Sequence, residues 1–237
     1  MLALGGLGGG VRYAFTTRSG GVSAAPFDSL NLSLDVGDDP AAVATNRGRV
    51  LDRLGLPDAV WLKARHSGEV ARVDRPDVGV PEVDATVTAQ AGLPLAALSA
   101  DCALIVLADP AAGVVGVAHC GRPGLTAGVV ANAVAALRDL GGVAIRAALG
   151  PSICASCYEV PGAMAEAVWS AVPASRARSR AGRPAIDIAA GVVAQLAGAG
   201  VEVARHVGGC TLEDPSLFSY RRDGLTGRMA AVVWRST

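Results

Sequence analysis

The sequence predicts a mixed α/β (α+β) fold with a mixed β-sheet, in a single domain spanning 1–237. Three observations carry this. Short apolar runs alternate with longer segments whose apolar residues recur at helical spacing. No linker or shift in composition divides the chain, and no internal repeat is present. At 237 residues and 51% hydrophobic, the chain can bury a sizeable core.

The elements follow in order. Residues 1–10 are Gly-rich, lack the GK[ST] of a phosphate loop and read as a loose lead-in. Residues 11–17 read as the first strand. Gly20-Gly21, Pro26 and Gly37 make 18–39 a long loop, and loops of that length inside a compact domain usually carry function. Asp39-Pro40 is an N-cap followed by Pro at the first helical position. The helix it starts carries Val43, Val50, Leu51 and Leu54 and stops at Gly55. Strand-type runs follow at 60–63, 70–73, 85–88, 95–99, 104–108 and 114–119. A helix over 126–140 ends at Gly141-Gly142, and a strand covers 144–149. Pro161 opens one helix and Asp187 caps another; strands near 201–207 and 229–234 finish the chain. The arginine-rich run 176–183 reads as a solvated loop, with an anion-binding surface as the alternative.

Composition excludes several functions. Twenty-one basic residues balance twenty-one acidic ones, so no whole-chain field draws the protein to nucleic acid or to an anionic membrane. The most apolar stretch, 103–118, is broken by Asp109-Pro110 and falls short of the roughly 20 residues a membrane span needs. Five scattered cysteines argue against a secreted disulfide scaffold and predict a cytoplasmic protein with reduced thiols. Three histidines cannot supply the about ten imidazoles of a multicopper oxidase, imidazole being the usual copper ligand. They leave room for one mononuclear site.

His66 follows a strand, Cys102 lies between two apolar strands, and His119 ends a strand just before the turn Cys120–Gly124. Two imidazoles and a thiolate suit Zn²⁺ and leave a fourth position open for water or substrate. No HxxxH or CxxC joins the three. A packed cysteine with two satisfied histidines therefore stays open, as does Cys102 acting as nucleophile with His119 as its base. Cys154-Ala-Ser-Cys157 is a CxxC without a second pair, and reads more readily as packed thiols than as a zinc or redox site. The turn Gly121–Gly124 ahead of a helix is a candidate anion pocket. Arg18 and the Arg221-Arg222 pair can each hold a phosphate bidentately.

Longer motifs narrow the choice. TTRSGGVSAAPFDSLNLSLDVGDDPAAVATNR (16–47), EVDATVT (82–88), SADCALIVLADPAAGVVGVAHCG (99–121), GPSICASCYEV (150–160) and FSYRRDGLTGR (218–228) stand in this order. With them the chain resembles the YfiH/YlmD (laccase-domain-containing) purine nucleoside phosphorylase family along most of its length, and the resemblance implies mixed β-sheets layered on one another and flanked by helices. The resemblance implies one catalytic Zn²⁺ held by His66, Cys102 and His119, with phosphate as co-substrate. It implies phosphorolysis of adenosine, inosine, guanosine and S-methyl-5′-thioadenosine, together with adenosine deamination. For the deamination Asp84 and Asp101 are candidate proton carriers, and Asp101, adjoining a ligand, is alternatively a residue that orients it. Arg18, Arg122 and Gly121 are candidates for phosphate, and Asn31 and Tyr158 for the nucleoside pocket. Two stretches depart from the family pattern. Ala64 and Ser67 replace its Gln and Gly around the first ligand, and Arg122-Pro123 replaces its Trp-Arg. A degenerate module that binds a nucleoside without turning it over is the remaining alternative.

Overall fold

A computed structural model describes residues 3–236. In chain order the elements are β1 (Ala3–Gly8), β2 (Val11–Phe15), α1 (Pro40–Leu54), β3 (Val60–Trp61), β4 (Val70–Arg72), β5 (Ala85–Thr88), β6 (Leu95–Ser99), β7 (Ala103–Asp109), β8 (Val114–Cys120), α2 (Arg122–Ala127), α3 (Val129–Asp139), β9 (Arg146–Leu149), α4 (Gly162–Ala171), β10 (Arg176–Arg178), β11 (Pro184–Ile186), α5 (Ile188–Gly198), β12 (Glu202–His206), α6 (Tyr220–Asp223) and β13 (Met229–Arg235). Two mixed sheets dominate, ordered β1-β2-β13-β6-β3 and β12-β9-β7-β8-β5-β4.

The period-2 alternation of the strands decides the layering. On β7, Ala103, Ile105 and Leu107 join the core under α3 and α5, while Leu104, Val106 and Ala108 join the core between the two sheets. On β13, Ala231 and Val233 face that inter-sheet core, and Ala230, Val232 and Trp234 face Val50 and Leu51 of α1. The result is four layers: helix, five-stranded sheet, six-stranded sheet, helices. Strands buried on both faces read as continuous apolar runs, which is why 103–118, the stretch of β7 and most of β8, is the most apolar part of the chain. Among the described residues no helix is long and apolar enough to cross a membrane.

Local signals account for α1. The Asp39 side chain accepts from the Ala41 N–H at 2.9 Å, and Gly55 closes the helix at φ 69°. Three expectations are corrected. Of the lead-in predicted over 1–10, residues 1 and 2 lie outside those described, and Ala3–Gly8 form an edge strand paired antiparallel with β2, with Leu7 buried. The helix predicted over 126–140 begins earlier and is two helices, because Gly128 takes φ 79° between α2 and α3. The run 176–183 is no plain loop: Arg176–Arg178 pair with Pro184–Ile186 as a hairpin, and Arg176, Arg180 and Arg183 meet Glu166, Glu213 and Glu159 on the surface.

Asp109 closes the β7–β8 hairpin. Its buried carboxylate accepts from the N–H groups of Ala111 and Ala112 on one oxygen and of Val143 and Ala144 on the other. The Val143 N–H bond leads in holding its pKa below the usual carboxylate value, against the opposing effect of burial. A depressed folded pKa contributes stability that is present above about pH 4, the unfolded value, and is lost as pH falls through the folded one. Asp109→Asn should therefore cost about 2 kcal/mol near neutral pH, since charge-assisted bonds are the stronger ones. Thermal melts should show a drop of about 6 °C that shrinks as pH falls below 4. An equal drop at pH 7 and pH 3 would contradict this.

Candidate metal centre and substrate pocket

The strand ends bring His66, Cys102 and His119 together although 36 and 17 residues separate them. Their ligand atoms lie within 4.8 Å of one another. His66 Nε2 is 3.9 Å from Cys102 Sγ, and the two imidazoles meet edge to face with centroids 4.8 Å apart. His206, the third histidine, is exposed on β12 and takes no part.

Asp84, fully buried just before β5, organises this cluster. One carboxylate oxygen faces His119 Nδ1 at 2.9 Å and accepts from the His66 N–H at 3.0 Å. The other accepts from the N–H groups of Arg65 and Ser67 and from the Ser67 hydroxyl. Burial pushes the Asp84 carboxyl up, but the bonds from His119 and Ser67 outweigh it and hold it at about 2. A carboxylate that takes up five donors is placed to orient the residues around it. With Asp84 against Nδ1, it is Nε2 of His119 that is left for a metal ion, whose binding would displace the proton there. Ser67, a departure from the family pattern, strengthens that anchor.

Burial alone would lower His119 and raise Cys102. The charge and hydrogen bonds between them, with Asp84 behind the imidazole and His66 beside the thiol, reverse both effects: His119 stands at about 9 and Cys102 at about 6. Cys120, buried and near the Cys102 and Asp84 charges, is pushed well above the ordinary thiol value and stays inert.

The donor set fits a thiophilic divalent ion, and the packing fits it too. A Cβ on Gly121 would sit 2.7 Å from Cys102 Sγ and 3.0 Å from His66 Cδ2. Gly121 has φ −88°, which alanine also adopts, so a substitution there acts through that contact alone. Gly121→Ala should weaken metal affinity at least about tenfold while the fold melts normally. Competition with a chromophoric chelator measures this, and parent-like affinity would contradict it. Among the described residues only His66 (φ 57°) and Asp101 (φ 97°) are non-glycine residues with positive φ, and both adjoin this centre. Such conformations persist where surrounding structure over-determines them.

The cluster opens into a pocket of about 710 Å³. Gly121, Arg122 and Tyr158 line it as expected positions, as does Asp101. Asp101 accepts from the Thr211 hydroxyl at 2.6 Å and from the Arg221 N–H at 2.7 Å. Arg221 lies over the Tyr158 ring at 5.0 Å and Arg228 over the Tyr220 ring at 5.9 Å, both guanidinium groups in the wall. Burial raises the Tyr158 hydroxyl against the opposing charges of Arg122 and Arg221, so it stays protonated at neutral pH.

Three expected positions fall elsewhere. Arg18 lies outside the pocket lining; it binds the Asp28 carbonyl and carboxylate, reaches Asp223 at 3.9 Å and stacks on Phe218, fastening the long loop to the 218–223 segment. Asn31 is buried, and its amide is taken up by Ser33, Asp38 and the Arg228 N–H. Arg222 of the Arg221-Arg222 pair holds the carbonyls of Thr211, Leu212, Asp214 and Leu217. The sequence reading passed over Arg228 and Tyr220 as site residues, although both lie inside the matched 218–228 motif.

Fold and site thus define a four-layer α+β protein with an open His–Cys–His centre at the floor of a basic, tyrosine-lined pocket. The chain belongs to the family described as multi-copper polyphenol oxidoreductase laccase, which it matches over residues 12–236. A protein of Streptomyces griseus named purine nucleoside phosphorylase is 52% identical over 233 residues, 95% of each chain. One of Mycobacterium bovis with the same designation is 45% identical over 229 residues, 94% of this chain and 92% of its own. Among solved structures, YlmD from Geobacillus stearothermophilus aligns with a TM-score of 0.86 at 33% identity, covering 96% of this chain and 93% of that one. A Neisseria meningitidis protein aligns at 0.84 with 36% identity, covering 96% and 95%.

Proposed function

We propose that this chain, acting as one cytoplasmic domain, is a zinc-dependent purine nucleoside phosphorylase. Its substrates are adenosine, inosine, guanosine and S-methyl-5′-thioadenosine, and adenosine deamination is its second activity. One observation carries the reading: a His66/Cys102/His119 donor set on the floor of a pocket whose wall holds Arg122, Arg221 and Arg228 beside two tyrosines. The names of the relatives supply the reaction.

In phosphorolysis a phosphate oxygen bonds to C1′ while the C1′–N9 bond breaks. The purine leaves with the electron pair and takes up a proton, and the sugar leaves as its 1-phosphate. His66, Cys102 and His119 would hold the zinc, which when bound would supply Lewis acidity. The guanidinium groups of Arg122, Arg221 and Arg228 hold the phosphate dianion and offset charge where it develops. Tyr158 and Tyr220 offer faces for the base. Tyr158 keeps its proton at neutral pH and, beside Arg221, is the donor for the departing base. For deamination Asp101, at the pocket wall, is the carboxylate that carries the proton.

A second reading is favoured by one alignment. Cys102, His119 and Asp84 stand in the order nucleophile, base and orienting carboxylate. Metal and nucleophile use the same sulfur lone pairs, so the two readings part on one observation, whether zinc protects Cys102 from alkylation.

Product analysis tests the proposal. The purified protein is incubated with adenosine, inosine and S-methyl-5′-thioadenosine, with and without phosphate. Free base and sugar 1-phosphate are expected with phosphate, and from adenosine also inosine without it. Folded, zinc-loaded protein that converts none of the three would overturn the reading.

A further inference from the structure

We propose that Cys154, Cys157, Cys210 and Glu213 form a second, structural site for Zn²⁺, separate from the pocket centre. Cys154-Ala-Ser-Cys157 has no CxxC partner in the sequence, but the fold gives it one of another kind. Cys210 and Glu213 have the same i, i+3 spacing. The two segments also share a turn. The N–H groups of Cys157 and Tyr158 both donate to the Cys154 carbonyl, and those of Glu213 and Asp214 both donate to the Cys210 carbonyl, all at 2.9–3.1 Å. The turns face each other across a parallel bridge between Ser152 and Cys210, and the Cys154 N–H donates to Cys210 Sγ at 3.3 Å.

The four ligand atoms lie within 4.8 Å of one another, with Cys157 Sγ 3.4 Å from Glu213 Oε1. Tetrahedral thiolate zinc, with Zn–S near 2.3 Å, requires S···S separations of roughly 3.8 Å, within reach of side-chain movement alone. Two i, i+3 pairs presented by facing turns are the arrangement of a four-ligand structural site, which leaves no open position. Three sulfurs select a thiophilic ion, and a closed tetrahedral shell suits zinc. Three thiolates and a carboxylate leave zinc in excess negative charge. Arg180, paired with Glu213, reduces that excess.

The site has a use. Ile153 and Tyr158, on either side of the CxxC turn, line the pocket, and Thr211, next to Cys210, holds Asp101. A metal joining the two turns fixes that wall of the pocket. The inference stands whether or not the purine reading does, since no ligand is shared.

Elemental analysis and native mass spectrometry of the full chain, purified anaerobically without chelator, test it. Two zinc equivalents are expected in the parent chain and one in Cys102→Ala. The remaining equivalent should disappear when Cys154→Ser/Cys157→Ser or Cys210→Ser is added. Cobalt-substituted Cys102→Ala should show a thiolate charge-transfer band that Cys210→Ser removes. Should those variants fail to fold, thiol counting on folded Cys102→Ala decides: Cys154, Cys157 and Cys210 should be shielded until a chelator is added. Zinc-free Cys102→Ala with reactive thiols, a disulfide among the three cysteines, or another metal in their place would each overturn the proposal.

Discussion

Cys102→Ala is expected to remove the pocket zinc and to lower phosphorolysis roughly a thousandfold, equivalent to about 4 kcal/mol of lost transition-state stabilisation. The sulfur is one of three ligands, and alanine leaves two imidazoles that cannot hold zinc at working concentrations. The fold should survive, because Cys102 is half-buried at a strand junction and its carbonyl still accepts from the Ser99 hydroxyl. Initial rates paired with zinc content measure the effect. Alkylation of the metal-free parent gives a second readout with a definite pH sense. With the thiol at about 6 and His119 at about 9, iodoacetamide should label Cys102 readily between these values and slowly below 6, and zinc should block it throughout. A variant that keeps as much zinc as the parent while losing turnover would favour the nucleophile reading.

Asp84→Asn should weaken zinc binding by roughly 10- to 100-fold, the usual effect of removing a partner that orients a ligand histidine. It should also destabilise the fold by about 3 kcal/mol. Five donors converge on this carboxylate from Arg65, His66, Ser67 and His119. An asparagine turns one accepting oxygen into an N–H₂ that faces donors. The folded pKa of about 2 lies below the unfolded value, so the stability Asp84 contributes is present above about pH 4 and lost as pH falls toward 2. Zinc titrations and melts at pH 7 check both effects, and parent-like zinc affinity would sink the orienting role.

What the sequence disclosed depended on how local the physics was. The start and end of α1 were legible because Asp39, Pro40 and Gly55 act within a few residues of themselves. β1 was not, because five glycines in 1–10 erase the alternation by which a strand is read, while backbone pairing with β2 needs no side chains. The break at Gly128 escaped because a lone glycine fits a helical pattern until tertiary packing sets its φ. The pocket centre was legible through the family's long motifs rather than through spacing, since its ligands come from separate strand ends. Arg18 and Asn31 sit in those same motifs, yet they serve to fasten the 18–39 loop, a distinction only their partners reveal. The CxxC reads as packed thiols in the sequence because its counterpart is a CxxE, 56 residues away.

The most direct test is inosine turnover by zinc-stripped protein, followed as phosphate-dependent hypoxanthine release before and after zinc is returned. The prediction is no release without zinc, recovery on its return, and no recovery in Cys102→Ala. Release that persists without zinc, or none at any zinc loading from folded protein, would contradict a zinc-dependent phosphorylase at His66, Cys102 and His119.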